Sequence, residues 1–147
     1  MERSAIVAEI KKWQNQYNAY QRKINQNEKD IEKLEHIRDK VKQQLNIFMG
    51  YLQKRKNKLN KFKYLTDSSR IAGRFIVGMQ GNIDGPDSRR IINNLNSSIS
   101  DVSGQIRRME TEIEQFRANM SKCAQNYNYW IKQLNAYDAA AAAGGKG

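Results

Sequence analysis

Few side chains in this sequence could do chemistry, and their spacing limits what they can do. His36 is the only histidine and Cys123 the only cysteine of 147 residues. A zinc site needs several His, Cys or carboxylate ligands, and nucleophilic catalysis needs a base beside the nucleophile. His36, between Glu35 and Ile37, has neither a second histidine nor a neighbouring cysteine and reads as a solvated helix position. A lone cysteine also excludes an intramolecular disulfide. Gly73 and Gly78 have the spacing of a phosphate loop, but Met79-Gln80 stands where the required Lys-Ser/Thr would be. Gly78, Gly81 and Gly85 do not follow the dinucleotide-binding spacing either. Asn96-Ser97-Ser98 and Asn119-Met120-Ser121 match the glycosylation sequon, a pattern too short to carry weight. The sequence therefore predicts no catalytic residue, no cofactor, no metal and no enzyme.

Charge is more informative. The formal net charge is +11 and the mean hydropathy is −0.87. Between Lys54 and Arg90 lie ten basic residues: Lys54, Arg55, Lys56, Lys58, Lys61, Lys63, Arg70, Arg74, Arg89 and Arg90. Only Asp67, Asp84 and Asp87 oppose them, which leaves this stretch at +7. Such a basic pole fits nucleic-acid phosphates, an anionic membrane surface touched through residues 70–81, or a solvated basic face. In the third case Asp67-Ser68-Ser69 would cap a short helix at 69–79.

The elements that must position these groups follow from hydrophobic period. In the first half, a positions fall on Ile10, Tyr17, Ile24, Ile31, Arg38, Leu45, Leu52 and Leu59. The d positions are Ile6, Trp13, Tyr20, Asn27, Leu34, Val41, Phe48, Arg55 and Phe62. In the second half the a positions are Ile92, Ile99, Ile106, Ile113, Met120, Tyr127 and Leu134. Leu95, Val102, Met109, Phe116, Cys123, Trp130 and Tyr137 occupy d. This 3.5-residue repeat is that of a left-handed coiled coil. It predicts helices over 5–64 and 87–138, a break over 65–86 and a flexible Ala/Gly-rich tail over 139–147. Gly85-Pro86-Asp87-Ser88 reads as the start of the second helix.

The expected fold is all-α: a long antiparallel two-helix hairpin with an irregular or short-helical connection. Counting outward from the middle of the break pairs Phe62 with Ile92 and Tyr20 with Leu134. One stripe per helix is little core for this length, and Ile37, Ile47, Met49, Tyr51, Ile91 and Ile131 flank the seam as a second contact surface. These features predict an oligomeric bundle, formed with itself or with a helical protein partner. Asn27 interrupts the seam either as a register-fixing polar group or through local drift. Drift is the favoured reading at Arg38, with Ile37 taking its place. Candidate partner-binding residues are Trp13, Tyr17, Tyr20, Tyr127 and Trp130 at the open end, and Phe75, Ile76, Val77 and Met79 at the tip. Core packing is the competing account of the seam aromatics.

Two amphipathic helices around Met79-Gln80-Gly81, without an apolar leader, resemble the WXG100/ESAT-6-like superfamily. The similarity is to the small helical partners of LXG-type effectors in type VII secretion of Gram-positive bacteria. In that family a Trp-x-Gly turn joins the helices, and here the tryptophan is Met79. The family's Tyr-x-x-x-Asp/Glu signal is missing, since Tyr127, Tyr129 and Tyr137 are followed at the fourth position by Ile131, Gln133 and Ala141. The resemblance implies a targeting or chaperone-like subunit that bundles with an effector, cytoplasmic before export and secreted without a cleavable signal peptide. In outline the chain is also similar to the basic coiled-coil stalks of flagellar and type III export. The reading of a different class is a nucleic-acid-binding protein using the basic pole.

Overall fold

A computed structural model describes residues 1–62 and 70–145, without the side chains of Phe62, Ile71 and Ala72. Lys63, the Phe62 side chain and the Asp67-Ser68-Ser69 cap lie outside the described residues. The chain is an all-α hairpin built from α1 (Arg3–Phe62), α2 (Arg70–Asp84) and α3 (Pro86–Gly144). It divides into two units. Met1–Glu32 with Arg107–Gly147 form the first, and Lys33–Ile106 the second.

In the first unit α1 and α3 run antiparallel along the seam that the heptads predict. Rising numbers on α1 meet falling numbers on α3. Arg3 bonds Asp138 at 3.0 Å, Gln16 meets Cys123, and Tyr20 packs on Phe116 with ring centroids 6.0 Å apart. Ile24, Ile113 and Met120 form the buried core there, with Tyr20, Ile31 and Phe116 against them. Each such side chain contributes about 1.5–3 kcal/mol by leaving water. Asn27 spans the pair: its Nδ2 donates to Glu112 Oε2 at 3.0 Å and, more weakly, to the Met109 carbonyl at 3.5 Å. It is therefore a seam residue that ties α1 to one level of α3.

In the second unit the connection takes its short-helical form, longer than the expected 69–79: α2 covers Arg70–Asp84 and already runs back along α1. Leu59, Ile76 and Ile83 are buried together, with Leu52 and Met79 against them. The apolar steps Ile76, Met79 and Ile83 present one helical face, and its burial outweighs the cost of about 1 kcal/mol for each interior glycine. Because α2 adds fifteen residues to the returning arm, the expected pairing is displaced. Tyr20 meets Phe116 rather than Leu134, and Ile92 shares a groove with Met49 and Leu52.

The joint between α2 and α3 has a physical reason. Ile83 and Ile92 are nine residues apart, so on one unbroken helix they would point about 180° away from each other. Both line the same face toward α1. A break must reset the phase, and Gly85-Pro86 provides it. Pro86 occupies the first position of α3, where its missing N–H costs nothing. The amide of Arg89 donates to the Gly85 carbonyl at 3.2 Å and begins the new helix. The Ser88 hydroxyl donates to the Asn82 carbonyl at 2.9 Å, and Arg89 Nε to the Asp84 carbonyl at 3.1 Å. These bonds satisfy carbonyls that the end of α2 leaves without partners. Gly85 is buried, and a Cβ there would collide with the Gly81 carbonyl oxygen.

Two further expectations change. At Arg38 the seam does not drift: Arg38 is half-buried, while Ile37 is 48% exposed. The long arginine stem covers apolar surface, although its Nε is buried without a hydrogen bond. The first part of the tail, 139–144, is helical, since α3 continues to Gly144. Alanine has the highest helix propensity and prolongs α3 although its residues there are exposed.

Gly85→Ala is expected to cost about 1–3 kcal/mol in urea unfolding, because backbone must move to admit the methyl group. Gly78→Ala, where a Cβ meets nothing within 4 Å, should instead gain up to about 1 kcal/mol. Asn27→Ala removes the inter-helix hydrogen bond and should cost about 1 kcal/mol in the same measurement.

Candidate functional site

The residues expected to meet a partner do not form one site. Within the first unit Trp13, Tyr17 and Tyr127 line a pocket of about 300 Å³ with Gln14, Asn18, Cys123 and Ala124. Trp13 is half-buried, Lys12 lies 4.9 Å over its ring, and its Nε1 is buried without a partner. Tyr17 is 39% exposed. Tyr20 belongs instead to the core, packed on Phe116 with Lys23 over both rings. Trp130 is half-buried and meets Tyr129 edge-on at 5.1 Å. Packing thus accounts for Tyr20, while Trp13, Tyr17 and Tyr127 surround an open pocket.

The tip residues also separate. Ile76 is buried at 5% exposure, while Phe75 and Val77 are 64% and 70% exposed. Phe75 and Val77 are two positions apart and so project about 200° from one another around α2. Met79 is half-buried beside the core. Phe75 and Met79, one turn apart on α2, face Tyr51 and Leu59, two turns apart on α1. These four residues line a groove of about 430 Å³ whose other walls are Lys54, Arg55 and Lys58. The Arg55 guanidinium lies 4.9 Å over the Tyr51 ring, so this predicted d position turns out of the seam.

A second groove, of about 510 Å³, is walled by Met49, Leu52 and Gln53 of α1 and by Ile83 and Ile92 of the returning helices. Lys56, Asp84, Ser88 and Arg89 complete it. The expected basic pole is thus divided. Lys54, Arg55 and Lys58 serve one groove, and Lys56 and Arg89 the other. Arg90 is held by Asp87 at 2.7 Å, near the positive N-terminal end of α3 where an acidic side chain is favoured. Lys61, Arg70 and Arg74 are exposed beyond the grooves.

Leu59 was legible as an apolar seam residue but not as a groove wall. Met49 and Tyr51 were legible as flanking apolar positions, and both remain exposed at 50% and 48%. Ile37, Ile47 and Ile91 are exposed as well, whereas Ile131 is half-buried.

Residues that could do chemistry are committed elsewhere. Cys123 is buried at 3% exposure, its thiol pointing weakly to Gln16 Oε1 at 4.0 Å. His36 is exposed. Gly73 and Gly78 lie inside α2, so their backbone follows a helix and not a phosphate-cradling loop. Among the described residues no three His, Cys, Asp or Glu side chains gather as a metal site, and no helix is long and apolar enough to cross a membrane. No family model, curated protein or solved structure matches the chain.

Truncation should separate the tip residues. Ile76→Ala is expected to lose about 2–4 kcal/mol in chemical unfolding. Phe75→Ser and Val77→Ser should stay within about 0.5 kcal/mol of wild type, as exposed substitutions do.

Proposed function

We propose that the chain is a non-enzymatic helical subunit that acts by docking other helices against its sides. The observation that carries this reading is the set of large apolar side chains left in water within one unit: Ile37, Ile47, Met49, Tyr51, Phe75, Val77 and Ile91. Scattered exposed apolar residues are ordinary, but several of these border grooves between antiparallel helices. The thinness of the core supports the same view. Among the described residues no large side chain is fully buried, so one stripe per helix leaves surface that a further helix would cover.

The sequence resemblance to small helical partners of LXG-type effectors gives this reading its biological form. The chain would be a targeting or chaperone-like subunit of type VII secretion, bundled with an effector before export. The Trp-x-Gly turn of that family has no counterpart here, because Met79-Gln80-Gly81 is helical and Met79 packs inward. What remains in support is the pairing of two long amphipathic helices.

Light scattering on the purified protein and co-purification from its native host test the proposal. A defined homo- or hetero-oligomer with a helical protein is the expected result. A monomer that retains no partner overturns it. Heparin and DNA chromatography tests the nucleic-acid reading. Retention that falls steeply with salt and disappears in a Lys54→Glu, Lys56→Glu, Lys58→Glu variant would favour that reading instead.

A further inference from the structure

Resting on the reading of the chain as a helix-docking subunit, we infer that the groove formed by Tyr51, Leu59, Phe75 and Met79 receives an acidic amphipathic helix of a partner protein. Shape comes first. The lower wall spans two turns of α1, from Tyr51 to Leu59, or about 12 Å. The upper wall is one turn of α2, Phe75 to Met79. An incoming helix with apolar residues at i, i+4 and i+7 presents a row about 10 Å long, which fits between those walls. Phe75 is the open side of the groove and supplies the aromatic anchor.

Charge selects the sign of the partner. Lys54 and Lys58 are one turn apart on α1, with Arg55 between them, and all three border the groove. Carboxylates one turn apart on an incoming helix would meet these cations at its rim. A second copy is disfavoured, because the stretch from Lys54 to Arg90 carries +7 and would face its own like charge in a symmetric contact. A membrane is disfavoured because Phe75 and Val77 point about 200° apart around α2 and cannot enter one leaflet together. A nucleic acid would use the cations but leave the apolar walls uncovered. Tyr51, on the same helix as those cations, already has Arg55 over its ring.

The test uses the full chain and a labelled synthetic peptide of about twenty residues, long enough to form a helix. The peptide carries leucines at i, i+4 and i+7 flanked by glutamates. One control replaces every glutamate by lysine, and another scrambles the leucine positions. Fluorescence anisotropy should show saturable binding of the acidic peptide only. Phe75→Ser should weaken it about tenfold, Lys54→Glu with Lys58→Glu at least as much, and Val77→Ser should leave it unchanged. Equal binding of the lysine or scrambled peptide, indifference to Phe75→Ser, or no binding overturns the assignment. So does tighter, Phe75-dependent binding of a single-stranded oligonucleotide or a phosphatidylglycerol vesicle. The two levels separate cleanly. A native partner still retained by the Phe75→Ser, Lys58→Glu variant would sink the groove while leaving the docking subunit intact. A wild-type monomer without any partner would instead sink the broader reading, whatever the peptide does.

Discussion

The structure depends on keeping one apolar stripe in phase as the chain returns along α1. A helix turns about 100° per residue, so a stripe that loses its 3.5-residue step soon points into water. Between Ile83 and Ile92 that step is lost, and the broken phase is restored at Gly85-Pro86. The single proline of the sequence and its most confined described glycine thus share one task. Ser88 and Arg89 then bind the carbonyls at the end of α2, so the joint is closed by hydrogen bonds. Without that correction either α2 or the start of α3 would present its polar face to α1.

The same constraint explains why the seam tolerates polar residues unequally. Asn27 stays in the seam because α3 offers it both a carboxylate and a carbonyl. Arg38 stays because its stem is apolar and long, while its Nε, without a hydrogen bond, lies 3.9 Å from the Asp39 carboxylate. Arg55 leaves, because Tyr51 one turn earlier gives its guanidinium an aromatic face. The three interruptions therefore have three different causes, set by what stands opposite or one turn away. Exposed pairs such as Arg3 with Asp138 add little to this, since solvent screens them. Asp138 does raise the pKa of Arg3 through a hydrogen bond, but arginine is already protonated at any ordinary pH.

Much of this was legible in the sequence. The heptads locate α1 and α3, and every second-run seam position except Tyr137 is at least half-buried. The α2 helix was harder to see, because Gly73, Gly78 and Gly81 read as breakers in a single sequence. Tertiary burial of Ile76, Met79 and Ile83 overrides that local preference, and only the partner stripe on α1 reveals it. The heptad pairing is displaced because α2, which the glycines disguise as connection, already belongs to the returning arm. The tip triplet was ambiguous for a related reason. Phe75-Ile76-Val77 has no period of its own, and only the phase of α2 decides that its middle residue goes inward. The grooves were not legible, since they arise where two helices meet and no stretch of one helix encodes them.

The energetics of α2 connect its fold to its use. Three interior glycines each cost about 1 kcal/mol relative to alanine, while Ile76 and Ile83 each return about 1.5–3 kcal/mol by burial. A Cβ at any of those glycines would meet nothing within 4 Å, so no close packing compels them. Met79 and Phe75 add apolar area that is only partly covered. The hold of α1 on α2 is therefore incomplete by the amount of surface that Phe75 and Met79 leave in the groove. A helix seated against those two residues would bury that surface and bind only when α2 is folded in place. Its binding would stabilise α2 by mass action, in proportion to the logarithm of its concentration over its dissociation constant. The segment richest in glycine is thus also the one whose stability is most open to adjustment from outside.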